Sequence, residues 1–360
     1  MNELNLTRVI NASGKMSILG VSKVQKTAIE AQQYGAQNFF VIEELIEKTG
    51  SQLSQLTGYP AATIVASASS GIALCVAGCI AKDNDHALLH PYDPTLTKRE
   101  VVIMKGHNVD YGAPVQTMIE LGGGVVVEAG YANGCTASHV KACLNENTCA
   151  LMYVVSHHTV QKSMLSLEDM IQISKASNVP LIVDAAAEEA LTQYVNQAID
   201  CVIFSGAKAI EGPSSGLVFG SVQAIDWVRR QSKGIGRAMK IGKENILGLY
   251  QATKTYLSEG NESGASMIER IEPWLKDMKA LGINASITQD GAGRDIYRLK
   301  IIVEDAPSLI SSMKQQNPAV YTREYYANQG IIEFDVRALN QDDMRIITQY
   351  IESFMKGNHP

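Results

Sequence analysis

Phe204-Ser-Gly-Ala-Lys-Ala-Ile-Glu-Gly-Pro-Ser-Ser-Gly216 sets one lysine, Lys208, between an apolar run and a glycine-rich turn. A second segment, Pro180-Leu-Ile-Val-Asp-Ala-Ala-Ala-Glu188, ends an apolar run on Asp184. Short apolar runs bounded by small or polar residues are typical of buried parallel strands. Ligands of open α/β sheets bind at the carboxyl ends of such strands, so we expect both side chains at one functional sheet edge.

Seven apolar runs alternate with helical patterns between about residues 61 and 220, which predicts a mostly parallel sheet covered by helices on both faces. The predicted strands are 62–66, 101–105, 125–128, 150–155, 181–184, 201–204 and 217–219. The predicted helices between them are 71–82, 113–121, 137–144 and 168–177. Ser166 and Asp169 predict a capping box at the start of the last helix.

The chain on either side of this block has a different pattern. Residues 21–58 are mostly helical and end at a glycine, as a helix C-terminus should. After the block we predict helices at 243–259, 265–281, 307–315 and 342–355, and strands at 285–288, 297–303, 320–327 and 331–336. We therefore expect an N-terminal arm and helix at 1–50, a large domain at 51–258 and a small α+β domain with an antiparallel sheet at 259–360.

The composition of the 360 residues limits the function classes. A net charge of −6 disfavours a broad nucleic-acid surface, because phosphate binding needs a concentrated basic face. No run reaches the roughly 18 apolar residues of a membrane span, and the N-terminus lacks the basic start and apolar stretch of a signal peptide. The six cysteines contain no Cys-x-x-Cys pair, which favours buried reduced thiols over a metal site. We predict a cytoplasmic protein with no metal and no nucleic-acid or membrane partner.

Two further segments follow strands of the predicted sheet. Ser67-Ala-Ser-Ser-Gly71 opens a helix, where small residues, free amide groups and serine hydroxyls suit an anion. His107 follows another strand, where its flat ring could stack on a planar ligand. Each feature also has an ordinary structural interpretation: a helix cap for the serines, a capping acid for Asp184, a solvated loop lysine for Lys208 and a surface histidine for His107.

Taken together, an anion cradle, an acid and a lysine resemble the layout of pyridoxal-phosphate enzymes of the aspartate-aminotransferase fold, or fold type I. More narrowly, the chain resembles the selenocysteine-synthase-like family, in which Ser-Gly-x-Lys is followed by Gly-Pro-x-x-Gly. Nearly the whole chain takes part in the resemblance. Further matching segments are Arg8-Val-Ile-Asn-Ala-Ser-Gly, Leu56-Thr-Gly, Arg237-Ala-Met-Lys-Ile-Gly-Lys243 and Phe334-Asp-Val-Arg337.

The resemblance implies a chemical role for three residues. Lys208 would bond to pyridoxal 5′-phosphate and then move the proton at the substrate Cα. Asp184 would pair with the pyridinium nitrogen and keep it protonated, so that the ring can store electrons. His107 would cover the ring face.

Other residues would bind anionic groups. Ser69, Ser70 and Gly71 would bind the cofactor phosphate, assisted by Ser205. Because the fold normally builds its site at a dimer interface, the resemblance also implies a homodimer or a larger homo-oligomer.

Three basic residues are candidates for the substrate. Arg337 suits a carboxylate because its guanidinium makes two parallel hydrogen bonds, although a structural ion pair is an equally good interpretation. Arg237 and Lys243 are candidates for a phosphate across a subunit boundary.

Among the shorter members of the family, the chain is most similar to ammonia-lyases of phosphorylated amino-sugar acids, notably through Lys105-Gly-His-Asn and Gly112-Ala-Pro-Val-Gln. The implied reaction is α,β-elimination of water from D-glucosaminate 6-phosphate, then deamination to 2-keto-3-deoxy-6-phosphogluconate and ammonia. Either His107 or Lys208 would protonate the leaving hydroxyl. The acidic chain, which starts a few residues before the Arg8 motif, disfavours a tRNA substrate.

Other activities remain open. They are another pyridoxal-phosphate-dependent β-elimination or β-replacement on a small amino acid, a selenocysteine-synthase-type transfer, and a regulatory or binding function on the same fold. A nicotinamide dehydrogenase would share the doubly wound sheet. Its glycine fingerprint should follow a first strand, whereas Gly234-Ile-Gly236 follows a helix.

Overall fold

The computed structural model describes residues 2–291 and 293–357, and these form two compact units. One unit is Val24–Glu259, and the other joins the residues before Val24 to those from Gly260 onward. Strand β1 (Val9–Ala12) pairs in parallel with a strand near residue 320, which explains why the N-terminal residues belong with the C-terminal ones. The predicted three-part division, with boundaries after residues 50 and 258, stays a prediction.

A seven-stranded mixed sheet lies at the centre of the unit Val24–Glu259. Its strands are β2 (Ala61–Val65), β3 (Glu100–Met104), β4 (Val125–Ala129), β5 (Thr148–Val154), β6 (Leu181–Asp184), β7 (Cys201–Ser205) and β8 (Gly216–Gly220). Their order across the sheet is β2-β8-β7-β6-β5-β3-β4. Strand β8 is antiparallel to both neighbours, and the other pairs are parallel. The predicted seven-stranded, mostly parallel sheet is confirmed.

Helices cover both faces of this sheet. They are α1 (Lys26–Gln37), α2 (Ile42–Thr57), α3 (Ala68–Ala81), α4 (Asp85–Leu89), α5 (Val115–Leu121), α6 (Ala137–Cys143), α7 (Leu167–Ser177), α8 (Val222–Arg230) and α9 (Lys243–Glu259). Helices α3, α5 and α8 pack with Val101 and Ile103 on one face, while α2, α6, α7 and α9 pack with Val102 and Met104 on the other. Alternate residues of one strand thus enter opposite cores, as a strand buried on both faces requires.

Two helices of this unit were not predicted. The short helix α4 and the helix α8, which begins at the N-cap Ser221, follow their preceding elements after only a few residues. The capping box of Ser166 and Asp169 is present at the start of α7. No helix in the described ranges is long and apolar enough to cross a membrane.

Helix α3 packs closely against the sheet, because its sequence is small and apolar all round. Every residue from Ser70 to Cys79 is buried, which is typical of a helix packed on all sides. Gly71 faces the strands, where a Cβ would lie 3.0 Å from Cγ2 of Ile203. This close packing fixes the N-terminus of α3 against the carboxyl ends of the strands.

The second unit is an α+β structure. Its helices are α10 (Gly264–Ala280), α11 (Ala306–Gln315) and α12 (Gln341–Met355), and its strands besides β1 are β9 (Asn284–Gln289), β10 (Tyr297–Ile302), β11 (Ala319–Thr322) and β12 (Ile331–Asp335). Strands β12, β10 and β9 form the predicted antiparallel sheet. Strand β11 is shorter than predicted and pairs with β1 instead, in a separate two-stranded parallel sheet.

Gly216, the first residue of β8, is a testable constraint on this fold. A Cβ on Gly216 would lie 2.7 Å from the carbonyl carbon of Ser67 and 2.8 Å from the amide nitrogen of Ala68. Because backbone atoms cannot rotate away, we expect Gly216→Ala to lower the free energy of unfolding by about 1–3 kcal/mol. Chemical denaturation measures this change.

Gly134→Ala is a matched control, since a Cβ there meets nothing nearer than 3.7 Å and the glycine has no positive φ. We expect the control to change the unfolding free energy by less than about 0.5 kcal/mol. Equal stabilities for the two variants would show that β8 and α3 are not held at this spacing.

Candidate functional site

The carboxyl ends of the parallel strands place Asp184 and Ser205 at one edge of the large sheet. Asp184 is the last residue of β6 and pairs in register with Val154 of β5 and Ile203 of β7. Ser205 ends β7 and lies opposite Gly216, which in turn lies opposite Val65 at the end of β2. The antiparallel direction of β8 therefore places its first residue at the edge where its neighbours end.

The predicted anion cradle lies at the N-terminus of α3. Ser67 is the N-cap, and its hydroxyl accepts a hydrogen bond from the amide of Ser70 at 3.0 Å. The hydroxyl of Ser70 in turn accepts from the Ser67 amide and donates to the Ser67 carbonyl, each at 2.8 Å. The amides of Ala68 and Ser69 stay available, since the first turn of a helix offers them no acceptor.

The three predicted cradle residues thus differ in what they can offer an anion. The Ser70 side chain is already used in the capping box, and the amide of Gly71 donates to the Ser67 carbonyl at 2.9 Å. Ser69 is half-buried, and its hydroxyl lies 3.4 Å from the phenol oxygen of Tyr111. Phosphate binding by these residues stays a prediction, and Ser69 is the residue whose geometry suits it best.

Asp184 is buried, with 7% of its surface exposed. One carboxylate oxygen accepts a hydrogen bond from the amide of Ala186 at 3.0 Å, and the other has no hydrogen-bond partner among the described residues. Burial raises the pKa of Asp184, although the Ala186 amide and the positive charge of Lys208 oppose the shift. Such a carboxylate is poised to bind a cationic or protonated group.

Lys208 lies three residues beyond the end of β7 in a tightly held loop. The loop is closed by hydrogen bonds from the amide of Gly206 to the Ser215 carbonyl at 3.0 Å and from the amide of Gly212 to the Gly206 carbonyl at 2.9 Å. Burial lowers the pKa of Lys208, and the negative charge of Asp184 only partly restores it. The amine has no hydrogen-bond partner among the described residues, so it is suited to act as a nucleophile and base.

His107 is completely buried rather than in a surface loop. Its Nδ1 accepts a hydrogen bond from the amide of Val154 at 3.2 Å, and its ring meets the Tyr153 ring edge-on at 4.5 Å. Burial lowers the pKa of His107 to about 4, so the imidazole is neutral near pH 7. Its Nε2 then carries the proton and has no partner among the described residues. Stacking on a cofactor ring stays a prediction.

Three further residues that were predicted to bind phosphate are in different environments. The ammonium of Lys243 donates to the carbonyls of Gly35 and Ala36 at the end of α1, so it caps that helix. Arg237 is exposed and has no ion pair among the described residues. Ser205 is half-buried at the end of β7. Phosphate binding by Lys243, Arg237 and Ser205 stays a prediction, and Lys243 already has a structural role.

Arg337 belongs to the second unit, where it makes the ion pair that was its alternative interpretation. Its Nε and Nη2 donate to the two carboxylate oxygens of Asp335 at 3.0 and 2.8 Å. Asp335 is buried and also faces Arg298, at 3.5 Å. Binding of a substrate carboxylate by Arg337 stays a prediction.

Tyr111, in the loop after β3, was not among the predicted site residues. Its phenol is the partner of Ser69, and its ring packs against the core beside α3. The signal available in the sequence was the turn Asp110-Tyr-Gly-Ala-Pro114 directly after the predicted strand and histidine. A turn of this composition marks a loop but does not show which side chain faces the sheet edge.

Comparison with known proteins shows the family to which this chain belongs. The profile described as "SelA: L-seryl-tRNA selenium transferase" matches residues 9–312. D-glucosaminate-6-phosphate ammonia lyase of Salmonella typhimurium (strain 14028s / SGSC 2262) is 42% identical, over 96% of this chain and 95% of that protein. The 5'-C-glycyluridine monooxygenase-decarboxylase of a Streptomyces species is 34% identical, over 98% of this chain and 91% of that protein.

Solved structures give the same result for the fold. A structure of D-glucosaminate-6-phosphate ammonia-lyase has a TM-score of 0.94 and 40% identity, covering 99% of this chain and 98% of that one. An aspartate aminotransferase of Thermus thermophilus has a TM-score of 0.51 at 15% identity, covering 97% and 92% of the two chains, so it shows the fold alone. The predicted aspartate-aminotransferase fold and the family resemblance are confirmed, and this chain belongs to the L-seryl-tRNA selenium transferase family.

Proposed function

We propose that this chain is a pyridoxal-phosphate-dependent ammonia-lyase whose substrate is D-glucosaminate 6-phosphate. The observation that carries the proposal is the pair formed by Asp184 and Lys208. A buried carboxylate with one free oxygen and an unpartnered amine share a sheet edge beside an anion cradle. The 42% identical relative named for this reaction supports the choice of substrate.

The residues at the sheet edge fit pyridoxal 5′-phosphate. When bound, this cofactor supplies a carbonyl that condenses with amines and a protonated ring that stores the electron pair left by a broken Cα–H bond. Ser69 and the first amides of α3 would bind its phosphate, Asp184 would hold the proton on its ring nitrogen, and Lys208 would anchor it. Family members and fold neighbours that depend on this cofactor support the assignment.

Lys208 would also move the protons of the reaction. Its lowered pKa favours the neutral amine, which removes the Cα proton as a general base. The protonated amine then stands ready to protonate the β-hydroxyl as it leaves. Neutral His107, whose Nδ1 accepts a hydrogen bond from Val154, is better suited to donate a hydrogen bond than to supply a proton. We therefore favour Lys208 for both proton transfers.

Arg237 is the best candidate for the distal phosphate of the substrate, because its guanidinium is exposed and has no ion pair among the described residues. We further propose that the protein acts as a homodimer or larger homo-oligomer in the cytoplasm. Phe39 is 99% exposed beside the exposed Val41, and apolar surface of this kind favours association. Free cysteines at all six positions favour a reducing compartment.

We expect the distal phosphate to be recognised during catalysis. Binding energy from a remote group can orient the reacting carbon, so kcat/KM for D-glucosaminate should be more than tenfold below that for D-glucosaminate 6-phosphate, or over about 1.4 kcal/mol. Ammonia and 2-keto acid should form in equal amounts. Arg237→Ala should remove most of this preference, while Lys233→Ala, an exposed cation of the same segment, should keep it.

Two results would redirect this assignment. Release of pyruvate or a thiol from cysteine-like substrates, without activity on either sugar acid, would identify another β-eliminating or β-replacing enzyme. Cofactor binding with no turnover of any β-substituted amino acid would favour a regulatory or binding function.

Asp184→Asn should separate stability from activity. Burial holds the folded-state pKa of Asp184 above its unfolded value of about 3.9, so the folded apo protein binds this proton more tightly than the unfolded chain does. Stability of the apo protein therefore falls as the pH rises from about 4 through the folded-state pKa. Asparagine keeps the acceptor for Ala186 and removes the buried charge.

We expect apo Asp184→Asn to be at least as stable as wild type at pH 7, with a flatter dependence of unfolding free energy on pH. The variant with bound cofactor should lose most of its activity, because an amide does not hold the proton on the cofactor ring as a carboxylate does. Urea denaturation between pH 4 and 8, together with kcat, measures both effects. A near-normal kcat would show that Asp184 is only a structural cap.

A further inference from the structure

Tyr111 is held in place by the short turn that follows β3. The carboxylate of Asp110 accepts a hydrogen bond from the amide of Gly112 at 2.7 Å, and Gly112 has a φ of +105°, which favours glycine. The Tyr111 amide donates to the carbonyl of Ala113 at 3.3 Å. These contacts fix the backbone of Tyr111 while its side chain leaves the turn.

The phenol of Tyr111 lies beside Ser69 of the anion cradle. Its oxygen lies 3.4 Å from the Ser69 hydroxyl, although paired hydroxyl oxygens usually lie near 2.7–2.8 Å. Ser69 is the cradle residue whose hydroxyl is not used in the capping box of α3. Two hydroxyls therefore meet loosely at the first turn of α3, beside the amides of Ala68 and Ser69.

The surroundings of Tyr111 keep its hydroxyl protonated. Burial raises its pKa, and the negative charges of Asp184 and Asp110 raise it further, with the Ser69 hydrogen bond opposing. The described groups that act on the phenol are thus two carboxylates and one hydroxyl. A phenol whose pKa is raised above its ordinary value of about 10 is a hydrogen-bond donor near pH 7.

We propose that Tyr111 is a phosphate-binding residue of the cofactor site, donating a hydrogen bond to the same phosphate group as Ser69 and the first amides of α3. The inference rests on the proposed cofactor and adds a residue that the lysine and aspartate motifs do not contain. A phosphate oxygen placed at the cradle would replace the long contact between the two hydroxyls with a hydrogen bond from each. Charge-assisted bonds of this kind are stronger than a bond between two neutral hydroxyls.

The test compares two ligands that differ only in the phosphate. Dissociation constants of the apo protein for pyridoxal 5′-phosphate and for pyridoxal are measured by absorbance and by quenching of protein fluorescence. Tyr111→Phe should weaken binding of the phosphorylated ligand about tenfold, which corresponds to about 1.4 kcal/mol, and should change pyridoxal binding less than twofold. Because phenylalanine keeps the ring, any stacking contribution is unchanged.

Two other variants complete the design. Tyr131→Phe removes the hydroxyl of a tyrosine that is 67% exposed and should change neither dissociation constant. Asp110→Ala loosens the turn without altering the ring, and it should give a smaller loss that is again confined to the phosphorylated ligand. This variant also answers the question if Tyr111→Phe does not fold.

Equal weakening for both ligands, or no change with Tyr111→Phe, would overturn the role of Tyr111 while leaving the proposed enzyme intact. A wild-type protein that binds neither ligand would instead overturn the proposed cofactor. The ³¹P resonance of the bound phosphate is a second readout, and it should shift in Tyr111→Phe and not in Tyr131→Phe.

Discussion

The carboxylate of Asp184 is buried at the end of a fully apolar strand with a single hydrogen bond to one of its oxygens. Burial of an unpaired charge is costly, so this carboxylate destabilises the apo protein, and binding of a cationic partner offsets that cost. We infer that the groups around Asp184 are arranged to accommodate this unpaired carboxylate. Lys208 makes no ion pair with Asp184 among the described residues, so both groups remain available to a ligand.

The sheet topology brings the loop that carries Lys208 to the same edge as Asp184. Because β8 runs against its neighbours, the loop that carries Lys208 returns to the same edge and ends at Gly216. The missing side chain there lets the backbone of Ser67 and Ala68 approach the sheet, and Gly71 does the same one turn along α3. Small residues thus set the distance between the anion cradle and the acid, while the chemical groups themselves lie on rigid elements.

Sequence patterns predicted the elements whose signals are local. The apolar run that ends at Asp184, the capping box at Ser166 and the periodic helix 243–259 all appear as expected. Contacts between distant segments were not predictable, such as the pairing of β1 with β11 or the capping of α1 by Lys243. The same limit applies to the site, because sequence identifies a serine-rich helix start but not which hydroxyl is used in the cap.

Tyr111 illustrates that limit most directly, since its proposed role depends on a contact with Ser69, which lies 42 positions away in the sequence. The central claim, however, is that Lys208 is the reactive amine of a pyridoxal-phosphate site. Borohydride reduction of the holoprotein followed by peptide mapping tests it, because reduction fixes the cofactor to the lysine that carries it. We predict a pyridoxyl group on Lys208 alone, and a pyridoxyl group on any other lysine would contradict this assignment.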